Sequence, residues 1–421
     1  MAGPATQATT LPAIRVPAGW TFAGLGAGLL LGLALQGRPA LAPVAAVAGP
    51  IGTLWLRALQ MTILPLVAAL LFTGIVQTVA AARAGALARR TLTAFVLILL
   101  SGGAMAALTM PALLAAFPIP GTAAAALAGS TATSPTAPLP GIAEFLGQIV
   151  PANVIGSAAE GAMLPVIVFV ALFALASTRL AEAPAAQLRL LFEGIAGAMM
   201  VVIGWVLRIA PLGVFALGFS VAAASGGAAV QALAHYIVLV VTVGAVVLLA
   251  AYAVAALAGR TGLFRFARAV LPAQAVAIST QSSLATLPAM LAVCRTLGVR
   301  QDSADFVLPL AVALFRATSP AMNVAVAIYA AALVGIAPTP QALIAGVAVS
   351  MLTTLGAPSL PGSISFVTST GPIALAMGVP IEPLALLVAV EMIPDVMRTT
   401  GNVTMDVAVT AAVDRRGYRA L

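Results

Sequence analysis

Apolar residues run almost unbroken through six stretches of the chain, at 18–37, 49–81, 91–117, 160–178, 188–222 and 232–258. Each is long enough to cross roughly 30 Å of hydrocarbon at about 1.5 Å of rise per residue, so each predicts a membrane-spanning α-helix. The first follows a single arginine and flows straight into further spans, so it is read as a retained helix rather than a signal sequence. Segment 118–140, rich in Ala, Thr, Pro and Ser and without charge, reads as an external loop.

After residue 260 the pattern changes. Segments 270–297 and 341–378 are apolar, but each is interrupted near its middle. The first interruption is Ser279, Thr280, Gln281, Ser282, Ser283, Leu284, Ala285, Thr286, Leu287 and Pro288; the second is Gly356, Ala357, Pro358, Ser359, Leu360, Pro361, Gly362 and Ser363. Non-helical backbone survives at membrane depth only where protein or a water-filled cavity satisfies its polar groups, so each cluster is expected at the tip of a re-entrant helical hairpin. The alternative is a kinked helix that spans fully. Arg260, Arg265 and Arg268 at the start of the first segment and Arg295 and Arg300 at its far end argue for the hairpin, because they put both ends on one side. Each hairpin is followed by a full helix with a related string: Phe315, Arg316, Ala317, Thr318, Ser319, Pro320 in one, Met397, Arg398, Thr399, Thr400, Gly401, Asn402 in the other. The two units enter from opposite sides and read as inverted repeats, which place substrate and ion sites at their interface.

The last apolar segment, 381–414, carries Glu391, Asp395, Arg398, Asn402 and Asp406. At about 100° per residue all five share one helix face roughly 80° wide. Ionisable groups at the bilayer centre are costly, and they usually line a substrate or ion path; the bland alternative is an ion-pair network that only locks helices together. Arginines at membrane depth suit carboxylates, because the planar guanidinium holds them bidentately.

Composition sharpens this picture. Of 421 residues, 62% are hydrophobic and 7% charged, which excludes an ordinary soluble domain. All 19 basic residues are arginine. Arg15, Arg83, Arg89, Arg90, Arg179, Arg189, Arg260, Arg265, Arg268, Arg295, Arg300, Arg415, Arg416 and Arg419 fall at alternate ends of the runs, whereas the opposite ends carry only Arg38. Both termini are therefore expected in the cytoplasm, with the chain multi-pass in the inner (plasma) membrane. The net charge of +8 is scattered over short loops rather than gathered into a nucleic-acid-binding patch. One cysteine, Cys294, and one histidine, His235, leave no internal disulfide and no His or Cys metal site. A membrane hydrolase using a serine of the first tip would need a base, and His235 has no motif spacing to any serine; it reads as a satisfied polar group, and the chain as no enzyme. No phosphate-binding Gly-rich loop is present for ATP-driven pumping. A channel stays open as an alternative, because polar stripes also line pores. The abundant Ala and Gly read as close helix packing in lipid rather than a specific contact motif.

These residues resemble the dicarboxylate/amino acid:cation symporter family, the glutamate transporter homologues. Thr280 to Pro288 is similar to that family's first hairpin tip, and Leu360, Pro361, Gly362 to its second. The stretch from Asp395 to Asp406 is similar to its last-helix motif, Ile209 to Phe215 to its fifth helix, and Met61 to Val67 to its second. The resemblance implies an all-α polytopic protein with eight transmembrane helices and two re-entrant hairpins, a homotrimer working by an elevator motion. Residues 1–260 would be mainly scaffold, with helices three and six joining the transport domain. Residues 261–414 would be the transport core, made of hairpin 261–300, helix 303–336, hairpin 341–378 and helix 381–414, and 415–421 a cytoplasmic tail. It implies symport of an acidic amino acid or C4-dicarboxylate, with sodium or a proton as coupling ion and no other cofactor. Arg398 would bind a distal carboxylate, Asp395 an amino group, and Thr399 and Asn402 the main carboxylate region. Ser283 and the backbone of Leu360, Pro361 and Gly362 would close over the substrate. Asp406, with Asn402, would supply a sodium site of hard oxygen ligands.

The seventh helix departs from the family. Its Asn-Met-Asp-Gly-Thr motif falls on Phe315, Arg316, Ala317, Thr318 and Ser319, so two side-chain oxygen donors are gone and a guanidinium has arrived. A fixed cation there would repel sodium, and weakened sodium coupling is expected. Alternatively Arg316 turns aside to pair with Asp395 or Glu391 while sodium still binds at Asp406, and Asn323 supplies a displaced ligand. Gln281 and Leu284 stand in the first tip in place of an arginine or serine, which leaves Arg316, with Ser319 in the same string, and Arg398 as the site arginines. An acidic amino acid satisfies Asp395 and Arg398 together; if Arg316 neutralises Asp395, a C4-dicarboxylate fits instead. A proton-coupled or uncoupled organic-anion carrier is the alternative for coupling.

Overall fold

The structure, a computed structural model, describes residues 18–83, 85–120, 150, 152–160, 162–225, 227–356 and 362–414. Among these the chain is all helical: α1 (Ala18–Leu35), α2 (Leu41–Ala82), α3 (Ala86–Ala116), α4 (Val154–Ala159), α5 (Met163–Ser177), α6 (Glu182–Arg208), α7 (Ala210–Ser225), α8 (Ala228–Leu257), α9 (Leu263–Thr280), α10 (Ser283–Leu297), α11 (Gln301–Leu314), α12 (Thr318–Leu333), α13 (Pro340–Gly356), α14 (Gly362–Ala376), α15 (Glu382–Leu387), a 3₁₀ turn at Val388–Val390, and α16 (Met392–Val413). Several helices are long and apolar enough to cross a membrane, among them α2, α3 and α6. The expected external loop lies mostly outside the described residues, as do Arg15 and the tail 415–421.

Before residue 260, two expected spans differ most. The second span is a single helix of 42 residues that begins before residue 49 and holds Pro50 and Pro65 inside it. The stretch 188–222 is not one helix, because Ile209 leaves the ladder between α6 and α7. Pro211 is the local cause: it has no N–H for the carbonyl of residue 207, and its ring crowds that carbonyl.

Glycine sets how closely the first helices meet. Gly24, Gly28 and Gly32 recur every fourth residue along α1, and a Cβ at each would strike the backbone oxygen of Pro211, Phe215 and Phe219 on α7. α1 therefore lies backbone to backbone on α7, and here the glycines do form a specific small-residue contact motif, contrary to expectation. Gly213 likewise leaves room for the Trp55 ring, whose Nε1 donates to the Val206 carbonyl at 3.1 Å and ties α2 to α6. α2 runs past α5, α6, α7 and α13 as a common beam.

The core is elsewhere. Every residue of α12 except Ala332 is buried, as is the whole of α16 from Arg398 to Ala411. Helices buried on all sides belong to a protein interior rather than a lipid-facing surface. α3, α8, α13 and α14 pack around α12, and α8, α9, α10 and α11 around α16. α9 and α10 form one helical hairpin, α13 and α14 another. The turn of the first is two residues: Gln281 takes a left-handed conformation (φ 50°, ψ 32°) and Ser282 caps α10 by accepting from the Ala285 N–H at 3.2 Å. The turn of the second, with Leu360 and Pro361, lies outside the described residues.

Candidate substrate and ion site

The expected full helix 303–336 is broken where its sequence departs from the family. Pro320 offers no N–H to the carbonyl four residues back and its ring crowds that oxygen, so the ladder stops at Arg316. α11 closes with Phe315 N–H on the Ala311 carbonyl at 2.7 Å, and the Arg316 carbonyl accepts from Ser319 N–H at 2.9 Å instead. Phe315 stacks on Phe95 of α3, centroids 4.1 Å apart, which holds the break against its neighbour. The N-terminus of α12 thus opens in mid-core, beside α16.

Gly401 lets α16 come up to that opening, since a Cβ there would sit 2.5 Å from Thr318 Cγ2. Asn402 Oδ1 then accepts from Thr318 N–H at 2.9 Å and from the Thr318 hydroxyl at 2.8 Å; the same hydroxyl lies 3.0 Å from the Arg398 carbonyl. Replacing Gly401 with alanine is expected to force the helices apart and to cost about 1–3 kcal/mol, as overpacking does. Thermal unfolding in detergent checks this; a Tm equal to the parent's would mean that Thr318 yields freely.

One turn away lies a buried charge cluster. Arg398, 5% exposed, donates from Nη2 to Glu391 Oε1 at 2.6 Å and from Nη1 to Asn323 Oδ1 at 2.7 Å, while its Nε stands 3.6 Å from Asp395 Oδ1. Tyr236 on α8 donates its hydroxyl to Glu391 Oε2 at 3.2 Å. Arg316, on the break, is within Coulombic range of both Arg398 and Asp395. Arg316, Arg398, Glu391 and Asp395 make a quartet of two cations and two anions, all buried. The polar stripe of the last helix is therefore packed against protein, not bathed in water.

Asp406 sits farther along the same face and is fully buried, with neither carboxylate oxygen hydrogen-bonded among the described residues. A buried carboxylate without a donor is a position that a hard cation or a proton satisfies. Asn402 does not share this openness, because Thr318 already takes both lone pairs of its side-chain oxygen. Ser319 is buried and its hydroxyl has no hydrogen-bond partner among the described residues; Thr399 is buried one residue after Arg398. Ser283 is buried as the first residue of α10, and Gly362 opens α14. Among the described residues no three His, Cys, Asp or Glu gather as a metal cluster.

Sequence reasoning placed Arg398, Asp395, Asn402 and Arg316 together but missed what holds them. Tyr236 is one aromatic in an apolar span, with no spacing that marks it. Asn323, a displaced ion ligand only in the alternative reading, accepts from Arg398. His235 has both ring nitrogens engaged, Nε2 at 3.0 Å from the Phe117 carbonyl and Nδ1 at 3.1 Å from the Tyr329 hydroxyl, and pins the end of α3 to α8 and α12.

The sodium:dicarboxylate symporter family matches residues 18–416. The proton/sodium-glutamate symport protein of Bacillus subtilis (strain 168) is 30% identical over 387 residues, covering 91% of this chain and 88% of the relative. The proton/glutamate-aspartate symporter of Escherichia coli (strain K12) is 28% identical over 360 residues, covering 84% and 82%. The C4-dicarboxylate transport protein of Laribacter hongkongensis (strain HLHK9) is 25% identical over 279 residues, covering 65% and 61%.

Proposed function

The chain belongs to the sodium:dicarboxylate symporter family, and from that premise we propose that it is a secondary active carrier of an acidic amino acid or C4-dicarboxylate. The observation that carries the reading is the pair of buried arginines, Arg316 and Arg398, at a helix break beside Asp395. Arg398 binds a substrate carboxylate, Asp395 an ammonium group where there is one, and the Ser319, Thr399 and Asn402 region the other carboxylate. Ser283 and the second hairpin tip, with Leu360, Pro361 and Gly362, close over the substrate as re-entrant gates. α1, α2, α5, α6 and α7 form the scaffold of a trimer. The remaining helices carry the site across as an elevator.

Arg316 takes the place of a bound cation. It lies within Coulombic range of Asp395 and Arg398 in a quartet whose formal charges already cancel, so sodium contributes less than in relatives named for it, and Asp406 keeps the position for a residual sodium ion or a proton. Counterflow of labelled L-aspartate in proteoliposomes, with sodium or with choline at fixed pH and with excess succinate as competitor, tests the reading. Saturable counterflow that succinate blocks supports the carrier, and indifference to sodium supports the Arg316 assignment. Uptake that stops in choline removes that assignment; no exchange of aspartate or succinate by folded protein removes the substrate class.

A further inference from the structure

We infer that Glu391 is an internal substitute for the substrate's carboxylate and the carrier of a coupling proton. This rests on the proposed carboxylate transport and assigns a role to a residue outside the binding set above.

Arg398 already gives an N–H of Nη2 to Glu391 and one of Nη1 to Asn323, so a substrate carboxylate that binds this guanidinium competes with both. Asn323 is neutral and sits on the buried helix α12. Glu391 sits at the junction where the 3₁₀ turn ends and α16 begins, the least regular part of the last helix. It is also an anion, so a substrate carboxylate replaces it on Arg398 like for like.

Once displaced, Glu391 is a buried carboxylate that has lost its cation, held only by the Tyr236 hydroxyl. Such a group is strongly unfavourable as an anion unless it moves to water or accepts a proton. It is 1% exposed, and Arg316, the other cation of the quartet, acts on Asp395 and Arg398 rather than on Glu391. The titratable groups nearby are Arg398 and Asp395 on α16, Tyr236 on α8 and Arg316 on the break. Glu382 on α15 is exposed, and α1 and α14, which also touch the 3₁₀ turn, carry no charged residue among those described. Proton uptake therefore accompanies substrate binding: the carboxylate of the substrate bonds to Arg398, the Glu391–Arg398 pair breaks, and Glu391 accepts one proton from the open side. On release the proton leaves with the substrate and the pair re-forms, which returns the empty carrier with its charge internally cancelled.

The test uses the full chain in proteoliposomes with a trapped pH-sensitive dye and labelled L-aspartate and succinate. In the parent, inward uptake acidifies the lumen and a pH gradient drives accumulation. In Glu391→Gln, gradient-driven accumulation is expected to fall at least tenfold while counterflow loses its dependence on pH. Tyr236→Phe keeps the carboxylate but removes its hydroxyl donor, and is expected to move the pH of half-maximal uptake upward by about half a unit or more. Counterflow that is absent in the parent for both substrates sinks the transport reading itself. Parental uptake without lumen acidification overturns only the proton assignment, as does Glu391→Gln that still acidifies the lumen. If Glu391→Gln does not fold, an unmoved pH profile in folded Tyr236→Phe overturns it.

Discussion

Replacing Arg398 with methionine is expected to abolish measurable uptake and also to lower the unfolding temperature of the protein. The two effects have separate causes. The guanidinium serves Glu391, Asp395 and Asn323 at once, at 2.6, 3.6 and 2.7 Å. Methionine fills a similar volume but leaves two buried carboxylates without that cation, and removing one partner of a buried pair costs about 3–5 kcal/mol. The carboxylate anchor proposed for the substrate goes as well; truncating one side of a hydrogen-bonded buried charge pair costs about 2–5 kcal/mol, which is at least about thirtyfold in affinity. The causes separate in Arg398→Met combined with Glu391→Gln, which is expected to recover much of the lost Tm in detergent while uptake stays absent. Lysine is expected to fail too, because a single ammonium cannot reach three partners set around a planar fork. An Arg398→Met protein with parental KM and Tm would show that the cluster is neither anchor nor lock.

Much of this arrangement was legible in the chain because helical periodicity is a strong constraint. Five polar residues at spacings of four, three, four and four must share a face, and all five are buried, Glu391 just before α16 and the other four on it, although the expected single helix 381–414 is split by the 3₁₀ turn at Val388–Val390. The hydroxyl and proline clusters also announced turns, and Gln281 and Ser282 form one. What periodicity could not give was the break at Phe315–Ala317. Its signal was present in Pro320, but a proline near a helix start and a proline that ends a ladder look alike until the neighbouring helix is known. Partner choice was illegible for a different reason: Tyr236 lies 155 positions before Glu391, and only the packing of α8 on α16 brings them to 3.2 Å. The same holds for Gly401, whose missing side chain matters only because Thr318 stands opposite.

With Arg316 proposed to stand in for a bound cation, Arg316→Met is expected to make uptake depend on sodium more than it does in the parent. In the parent, Arg316 lies within Coulombic range of Asp395 and Arg398 and makes up the second positive charge of the quartet. Removing it leaves one cation among two buried carboxylates, and the fully buried Asp406 carboxylate lies farther along the same helix. At an effective dielectric of about 20, a unit charge about 8 Å away is worth about 2 kcal/mol, a factor of about thirty in the affinity of a cation or an anion. Substrate anions lose that attraction, so uptake in choline is expected to fall at least tenfold. A mobile cation gains the same amount, because the fixed charge that repelled it has gone, and the open oxygens of Asp406 are hard ligands suited to it. Sodium is therefore expected to restore part of the lost uptake in Arg316→Met, saturably, and to have little effect on the parent. Asp406→Asn in that background removes the remaining anionic ligand and is expected to cancel the rescue. If Arg316→Met instead keeps the parent's uptake and the parent's response to sodium, the guanidinium is a packing group and the coupling charge must be sought elsewhere on α16.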